Sequence, residues 1–147
     1  MINLKTITTC FLFFGPHLLP GQYQDVWINE IYADQSPSFG MPNAEFLELK
    51  NNTIDTLDLH NWGLSDALDT VLLPTVKIPP LECLVLCKPS AEAIYRDFGF
   101  SLGVPNLPSL NNTGDVLKIW NQFGILIDSV TYRKEFYQEE TDSLGNV

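Results

Sequence analysis

The fold is decided by two neighbouring stretches, EFLELKNN at residues 45–52 and LDLHNWGLSD at residues 57–66. The first places apolar residues between charged ones and ends in an asparagine-rich turn. The second passes through an Asp/Asn/Gly-containing turn into a strand that carries a tryptophan. Short strands separated by such turns are typical of a β-sandwich.

Along most of the chain, apolar and polar residues alternate with a period of two. We expect an all-β protein with at most one short helix, over 91–98, with Ser90 as its N-cap. Residues 34–43 and 99–108 are rich in Gly and Pro and predict loops. A hairpin is expected across the turn at 121–124. The strands are expected over 26–32, 45–50, 57–59, 62–66, 71–73, 76–78, 82–87, 116–120 and 125–132.

The first 21 residues predict a secretory signal peptide. Lys5 precedes a short apolar run that Pro16 ends, and Gly21 supplies a small residue for cleavage before Gln22. The run is shorter than the roughly 20 apolar residues of a spanning helix. A buried N-terminal strand and an uncleaved anchor are the alternatives. We therefore expect a secreted or cell-surface domain over residues 22–147, with no membrane span after cleavage.

The composition limits the classes of partner. The formal net charge is −10, and 12% of the residues are aromatic, enough for a sandwich core. Binding of phosphate backbones depends on Lys and Arg, so nucleic acid is disfavoured as a partner. Anionic membrane surfaces are disfavoured for the same reason. A protein or cell-surface partner is favoured instead.

The residues that suggest chemistry each have a simpler explanation. Cys83 and Cys87 lie four apart in a strand, about 13 Å, which exceeds the reach of a disulfide and predicts buried free thiols. His60 lies in a turn without a nucleophile-elbow pattern, so we expect a surface residue and no enzyme activity. Trp62 is expected to anchor the core. Either Trp27 or Trp120 is a candidate for an exposed binding face.

The ordered set of motifs from residue 26 to 132 resembles a bacterial lamin tail domain. The set comprises INEI at 28–31, EFLELKN at 45–51, LHNWGLSD at 59–66, IPP at 78–80, CLVLC at 83–87, LNNTGD at 110–115 and IDSVTY at 127–132. The resemblance implies an immunoglobulin-like sandwich and a non-catalytic binding or tethering module of exported type.

Two departures from the family pattern accompany this resemblance. Family members usually carry a glycine in the turn before the central strand, where this chain has Pro80-Leu81-Glu82. They also continue beyond the Tyr132 region into a further strand with a Gly-Trp pair. If the chain is a truncated gene product or the leading piece of a longer protein, one sheet edge lacks its last strand. An open edge invites strand addition or self-association.

Four carboxylates cluster in sequence around the first two strands: Glu30, Asp34, Glu45 and Glu48. If these strands are neighbours, two or three of the carboxylates converge at one end. Oxygen ligands from loops suit calcium. The alternative is a solvated acidic rim. No other cofactor is implied.

The sequence thus predicts an exported, non-catalytic module that binds or tethers to a cell-surface or extracellular partner. The alternatives are a structural or assembly module that acts through an open sheet edge, and an N-terminal accessory domain of a larger surface hydrolase that is truncated here.

Overall fold

The computed structural model of the chain describes residues 25–33 and 41–134. Its strands form two four-stranded sheets, packed face to face, and a two-stranded ribbon. The elements in chain order are β1 (Val26–Tyr32), β2 (Phe46–Asn51), β3 (Leu57–Asp58), β4 (Gly63–Ser65), β5 (Thr70–Leu72), β6 (Lys77–Ile78), β7 (Cys83–Cys87), α1 (Glu92–Tyr95), β8 (Ser101–Gly103), β9 (Gly114–Trp120) and β10 (Leu126–Arg133).

The first sheet has the strand order β1-β2-β7-β8, and the second sheet has the order β10-β9-β4-β5. All pairings are antiparallel except that of β7 with β8. Strands β3 and β6 form the ribbon. The architecture confirms the expected all-β, immunoglobulin-like sandwich.

The core lies between the two sheets because alternate residues of each strand point inward. Leu47, Leu49, Leu84 and Leu86 of the first sheet are fully buried. They belong to the same cluster as Leu64, Leu117 and Ile119 of the second sheet. Trp62 joins this cluster with only 9% of its surface exposed, which confirms its predicted role as a core anchor.

A smaller apolar cluster covers the outer face of the first sheet. It contains Phe46 and Val85 from the strands and Tyr95 from α1, and the Phe46 and Tyr95 rings meet edge to face at 5.1 Å. The Tyr95 hydroxyl donates to the carbonyl of Ala44. Burial, followed by the neighbouring Tyr32, raises the pKa of Tyr95 to about 12. Tyr95 is therefore the buried aromatic residue through which the helix packs on the sheet.

Two local predictions are wrong. The helix spans one turn, and its N-cap is Ala91, which makes no side-chain capping bond, so Ser90 is not the cap. Residues 99–108, expected as loop, contain β8. The other strands agree with prediction to within one or two residues, and the hairpin of β9 and β10 is confirmed.

No helix within residues 25–33 and 41–134 is long and apolar enough to cross a membrane. The signal-peptide prediction at 1–21 and most of the loop predicted at 34–43 lie outside the described residues. Both therefore stay predictions.

Candidate functional site

An apolar row crosses the outer, solvent-facing surface of the second sheet. The strand register places Leu72 of β5 opposite Gly63 of β4, Gly63 opposite Trp120 of β9, and Trp120 opposite Leu126 of β10. Directly opposite residues share one face of a sheet. Leu72 is 62% and Leu126 44% exposed, and Trp120 is half-buried between them. We call this row the Trp120 face.

Trp120 is held flat against the sheet by its neighbours. Its indole Nε1–H donates to Ser65 Oγ at 3.2 Å, one row away on the same face. A Cβ built on Gly63 would lie 3.7 Å from both Cβ and Cδ1 of Trp120, so the indole rests directly over the glycine. The ring is thus fixed in place while part of its surface stays open to solvent. Such preorganised aromatic surface is what protein-binding faces use.

The Trp120 face continues to the tip of the hairpin that joins β9 and β10. There Phe123 is 77% and Ile125 58% exposed. The Asn121 side-chain oxygen accepts hydrogen bonds from the backbone N–H of both residues, at 2.9 and 3.0 Å. Gly124 completes the turn with a φ of +73°. The tip therefore presents apolar side chains on an ordered backbone.

An open groove of about 580 Å³ lies at the other end of the second sheet. Its walls are the β4–β5 turn, including Leu68, and the ends of β9 and β10, including Arg133. The buried Asp115 beside it is fully engaged: Oδ1 accepts the N–H of Ala67 and Val116, and Oδ2 accepts the Asn111 amide. This carboxylate therefore fixes loops and has no free oxygen for chemistry.

The carboxylates of the predicted calcium site are only partly brought together. Glu30 lies directly opposite Glu48 across β1 and β2, and Glu48 Oε1 accepts a bond from the Asn29 amide at 2.6 Å. Glu45 instead pairs with Lys88 at 3.4 Å and accepts the Leu110 N–H. Asp34 lies outside the described residues. The calcium hypothesis therefore stays a prediction, centred on Glu30 and Glu48.

Among residues 25–33 and 41–134, no three His, Cys, Asp or Glu side chains are grouped as metal ligands. This count does not extend to Asp34.

His60 is exposed, in agreement with its predicted position in a surface turn. Its Nδ1 lies 2.8 Å from the Thr75 hydroxyl and its Nε2 lies 3.1 Å from the Asn61 amide. Neither nitrogen has a carboxylate partner in these bonds. Its geometry thus provides no base oriented by an acid, as nucleophilic catalysis needs.

Both described cysteines are free, as predicted. Cys87 is buried, and burial, followed by the Glu92 charge, raises the pKa of its thiol to about 11. Cys83 is half-buried, and burial, followed by a hydrogen bond to Glu48, also raises the pKa of its thiol. Reactive cysteines have a lowered pKa instead. Cys87 packs in the outer apolar cluster, whereas Cys83, on the same strand, is only partly buried.

Sequence reasoning identified Trp120 as a candidate for an exposed face but missed Leu72, Leu126 and Gly63. Their alignment depends on the register of four strands that are distant in sequence. The exposed apolar pair Ile125-Leu126 beside a predicted turn was the one local signal.

The family comparison agrees with the sandwich fold. Residues 20–134, which make up most of the chain, match the model of the Lamin Tail Domain. A search of curated proteins finds no match. The lamin tail domain is an immunoglobulin-like fold, and the described strands form such a sandwich. By its sequence match and its fold, the chain belongs to the lamin tail domain family.

Proposed function

We propose that this domain is an exported, non-catalytic module that binds or tethers to a protein at the cell surface or outside the cell. The single observation that carries the proposal is the Trp120 face. Large apolar side chains in contiguous array on a folded domain mark interaction sites. Aromatic residues are enriched at protein interfaces. The predicted leader over residues 1–21 supports the extracellular address.

The charge distribution supports a protein partner. The chain carries a formal charge of −10, and the Trp120 face itself consists of uncharged residues. Burial of apolar surface drives association there, while the acidic remainder keeps the domain soluble.

The test is retention of the full chain on the cells that express it. We expect the recovered protein to start near Gln22 and to bind protease-sensitive sites on those cells saturably. Leu126→Lys places a charge in the Trp120 face and should reduce retention at least tenfold, since desolvating a charge at an interface is costly. Ile94→Lys is the matched control, because Ile94 is 49% exposed on α1, which packs on the other sheet.

Equal retention of the two variants would contradict the binding face. Recovery of intact Met1 inside the cell would contradict export. Neither measurement requires the partner to be identified.

A second candidate is an assembly role through an open sheet edge. The observation that favours it is β5, the end strand of the second sheet. Sedimentation over a concentration series separates the two candidates. Mass that rises with concentration supports assembly, and a persistent monomer supports binding of another protein.

A further inference from the structure

The four end strands of the sandwich differ in how their open edges are protected. Unpaired N–H and C=O groups on an end strand are a template for another chain, so proteins normally cover them. The end strands here are β1 and β8 in the first sheet and β10 and β5 in the second.

Side chains bind outward backbone groups on the first three edges, and on β10 the Ser129 N–H donates to Asp128 Oδ1 at 2.7 Å. On β8, Glu92 Oε2 accepts the Gly103 N–H at 3.0 Å, and the Ser101 hydroxyl donates to the Glu92 carbonyl. On β1, Asp128 of β10 reaches across and accepts the Ile28 N–H at 2.8 Å. The same contact brings β1 and β10 together where both strands carry a bulge. Bulges and covering side chains are the usual protections of an edge.

Strand β5 lacks such protection. Within the described residues, Thr70, Val71 and Leu72 take part in no hydrogen bond outside the ladder with β4. Two hydrogen bonds lie just beyond the ends of that ladder, from Leu73 N–H to Trp62 O and from Asp66 N–H to Asp69 O. They determine which opposite residues between them are hydrogen-bonded pairs and which are not. Val71 and Leu64 are therefore the bonded pair between them. It follows that the N–H and C=O groups of Thr70 and Leu72 point away from the sheet.

The side chains around β5 define what would fit against it. Val71 packs against the edge of the core and is only partly covered, so a residue opposite it should be apolar. Leu72 extends the Trp120 face onto this edge with 62% of its surface exposed. Asp66 and Asp69 flank the start of β5, and Asp69 is exposed. A cation at the matching end of an added strand would face these carboxylates.

We propose that β5 is a strand-addition site, which binds an extended segment of another protein with alternating apolar residues and a Lys or Arg beside Asp69. The inference rests on the proposed protein-binding function and names its site and the chemistry of the partner. Backbone bonds to Thr70 and Leu72 supply affinity, and the apolar and cationic positions supply specificity.

The negative charge of the chain favours another protein over a second copy of this chain as the partner of β5. Each copy carries a formal charge of −10, and pairing β5 with β5 would bring two sets of Asp66 and Asp69 to one seam. Like charges juxtaposed at an interface oppose binding, whereas a basic segment is attracted.

The probe is the peptide acetyl-Lys-Val-Thr-Val-Thr-Val-Lys-amide, titrated into ¹⁵N-labelled full-length chain. We expect saturable shifts of the Thr70 and Leu72 amide signals at up to millimolar peptide. The version with Glu at both ends should bind at least about threefold more weakly, as expected for exposed ion pairs.

Leu72→Pro removes one outward N–H without removing a bond to β4, and proline is tolerated on an end strand. It should abolish the peptide-induced shift at Thr70. Leu72→Thr also removes the apolar side chain but keeps the N–H, so the Thr70 amide should still shift with the peptide, and equal melting temperatures of the two variants control for folding.

The proposal is overturned if Thr70 and Leu72 do not shift with the Lys peptide, if Leu72→Pro still responds, or if the Glu peptide binds equally well. Shifts of the same amides with protein concentration alone would assign the edge to a second copy instead. Retention on cells is scored separately. If the wild type is retained on cells but shows no peptide-induced shift, only this inference is contradicted. If the wild type is not retained, the proposed function is contradicted.

Discussion

At the scale of single residues, Leu81 occupies a turn position that favours glycine. The Glu82 N–H donates to the Pro79 carbonyl at 3.3 Å, and Leu81 between them has a φ of +60°. Proline at the second position and a positive φ at the third are the features of a type II turn. This turn lies just before β7, where family members usually carry glycine. The departure noted in the sequence is therefore a point of backbone strain.

Leu81→Gly should raise the free energy of unfolding by about 0.5–1 kcal/mol. The left-handed conformation costs a residue with a Cβ about 1–2 kcal/mol, and the greater entropy of glycine in the unfolded chain offsets part of that gain. Leu81 is 55% exposed, so little packing is lost. Urea denaturation measures the change. Leu81→Ala is the control, because it keeps the Cβ and should bring no gain; an equal gain in both variants would refute the strain.

The two thiols should differ in reactivity while the protein is folded. Burial raises the pKa of Cys87 from 9.0 to about 11, so its thiolate fraction near pH 8 falls by about 100-fold. We expect iodoacetamide to label Cys83 first and Cys87 only after unfolding, as read by peptide mass spectrometry. Because the pKa is raised in the folded state, Cys87 favours folding below pH 9.0, and this contribution is lost as pH rises through about 11.

Labelling of Cys87 at the rate of the unfolded chain would contradict its burial. Cys83 is the internal reference, since both thiols lie on β7 in the same sample.

At the scale of elements, the sequence predicts the strands that carry their own period and misses what distant pairing creates. The hairpin of β9 and β10 was predictable, because alternation and the Asn121–Gly124 turn are both local signals. Strand β8 was not, since its three residues Ser-Leu-Gly are extended only through parallel pairing with β7 and the Glu92 contacts. The helix ends at Tyr95, and the Phe98 N–H then donates to the Tyr95 carbonyl three residues back, the bond of a tightened last turn.

In the candidate sites, too, local patterns were predictable and contacts between distant residues were not. The sequence makes convergence of the carboxylates conditional on β1 and β2 being neighbours; the two strands do pair, and Glu30 lies opposite Glu48. Glu45 precedes β2 and is drawn to Lys88, a residue 43 positions later that no local pattern connects to it. Asn51 is a further example. It is fully buried, and its amide donates to the carbonyls of Asp55, Ile78 and Pro79, which ties the β3–β6 ribbon to the first sheet.

The pair of β1 and β2 yields a prediction about charge. Like charges directly opposite in adjacent strands are destabilising, and an opposite-charge pair there contributes roughly 0.2–1 kcal/mol. Glu30→Lys should therefore raise the free energy of unfolding by about that amount at low salt, with a smaller gain in 1 M salt. Glu30→Gln removes the repulsion alone and should gain less. Chemical denaturation of the wild type and the two variants measures these free energies of unfolding. A loss of stability in Glu30→Lys would mean that the side chains at positions 30 and 48 do not face each other.

At the scale of the whole molecule, acidic charge and edge protection act together. Asp128 and Glu92 use carboxylates to cover sheet edges, and Asp115 uses one to fix loops. Other carboxylates remain at the surface, and the chain has a formal charge of −10. Net charge far from zero keeps a domain soluble but works against compaction. A cation that binds the folded state would relieve part of this repulsion.

Calcium should therefore raise the melting temperature of the folded domain through Glu30 and Glu48, with Asp34 as the third expected ligand. Extracellular modules bind calcium at about 10⁻⁴–10⁻³ M. At 10 mM calcium and a Kd of about 1 mM, linkage adds about 1.4 kcal/mol, which corresponds to a rise of several degrees for a domain of this size. Magnesium should do less, because it demands a stricter octahedral geometry.

The matched variants for this measurement are Glu48→Gln and Glu45→Gln. Glu48 faces Glu30, so Glu48→Gln should lose the calcium-dependent rise. Glu45 is already paired with Lys88, so Glu45→Gln should lower the starting melting temperature and keep the rise. A wild type that ignores millimolar calcium, or that responds equally to magnesium, would leave only general screening of charge, and Glu30 and Glu48 would then belong to a solvated acidic rim.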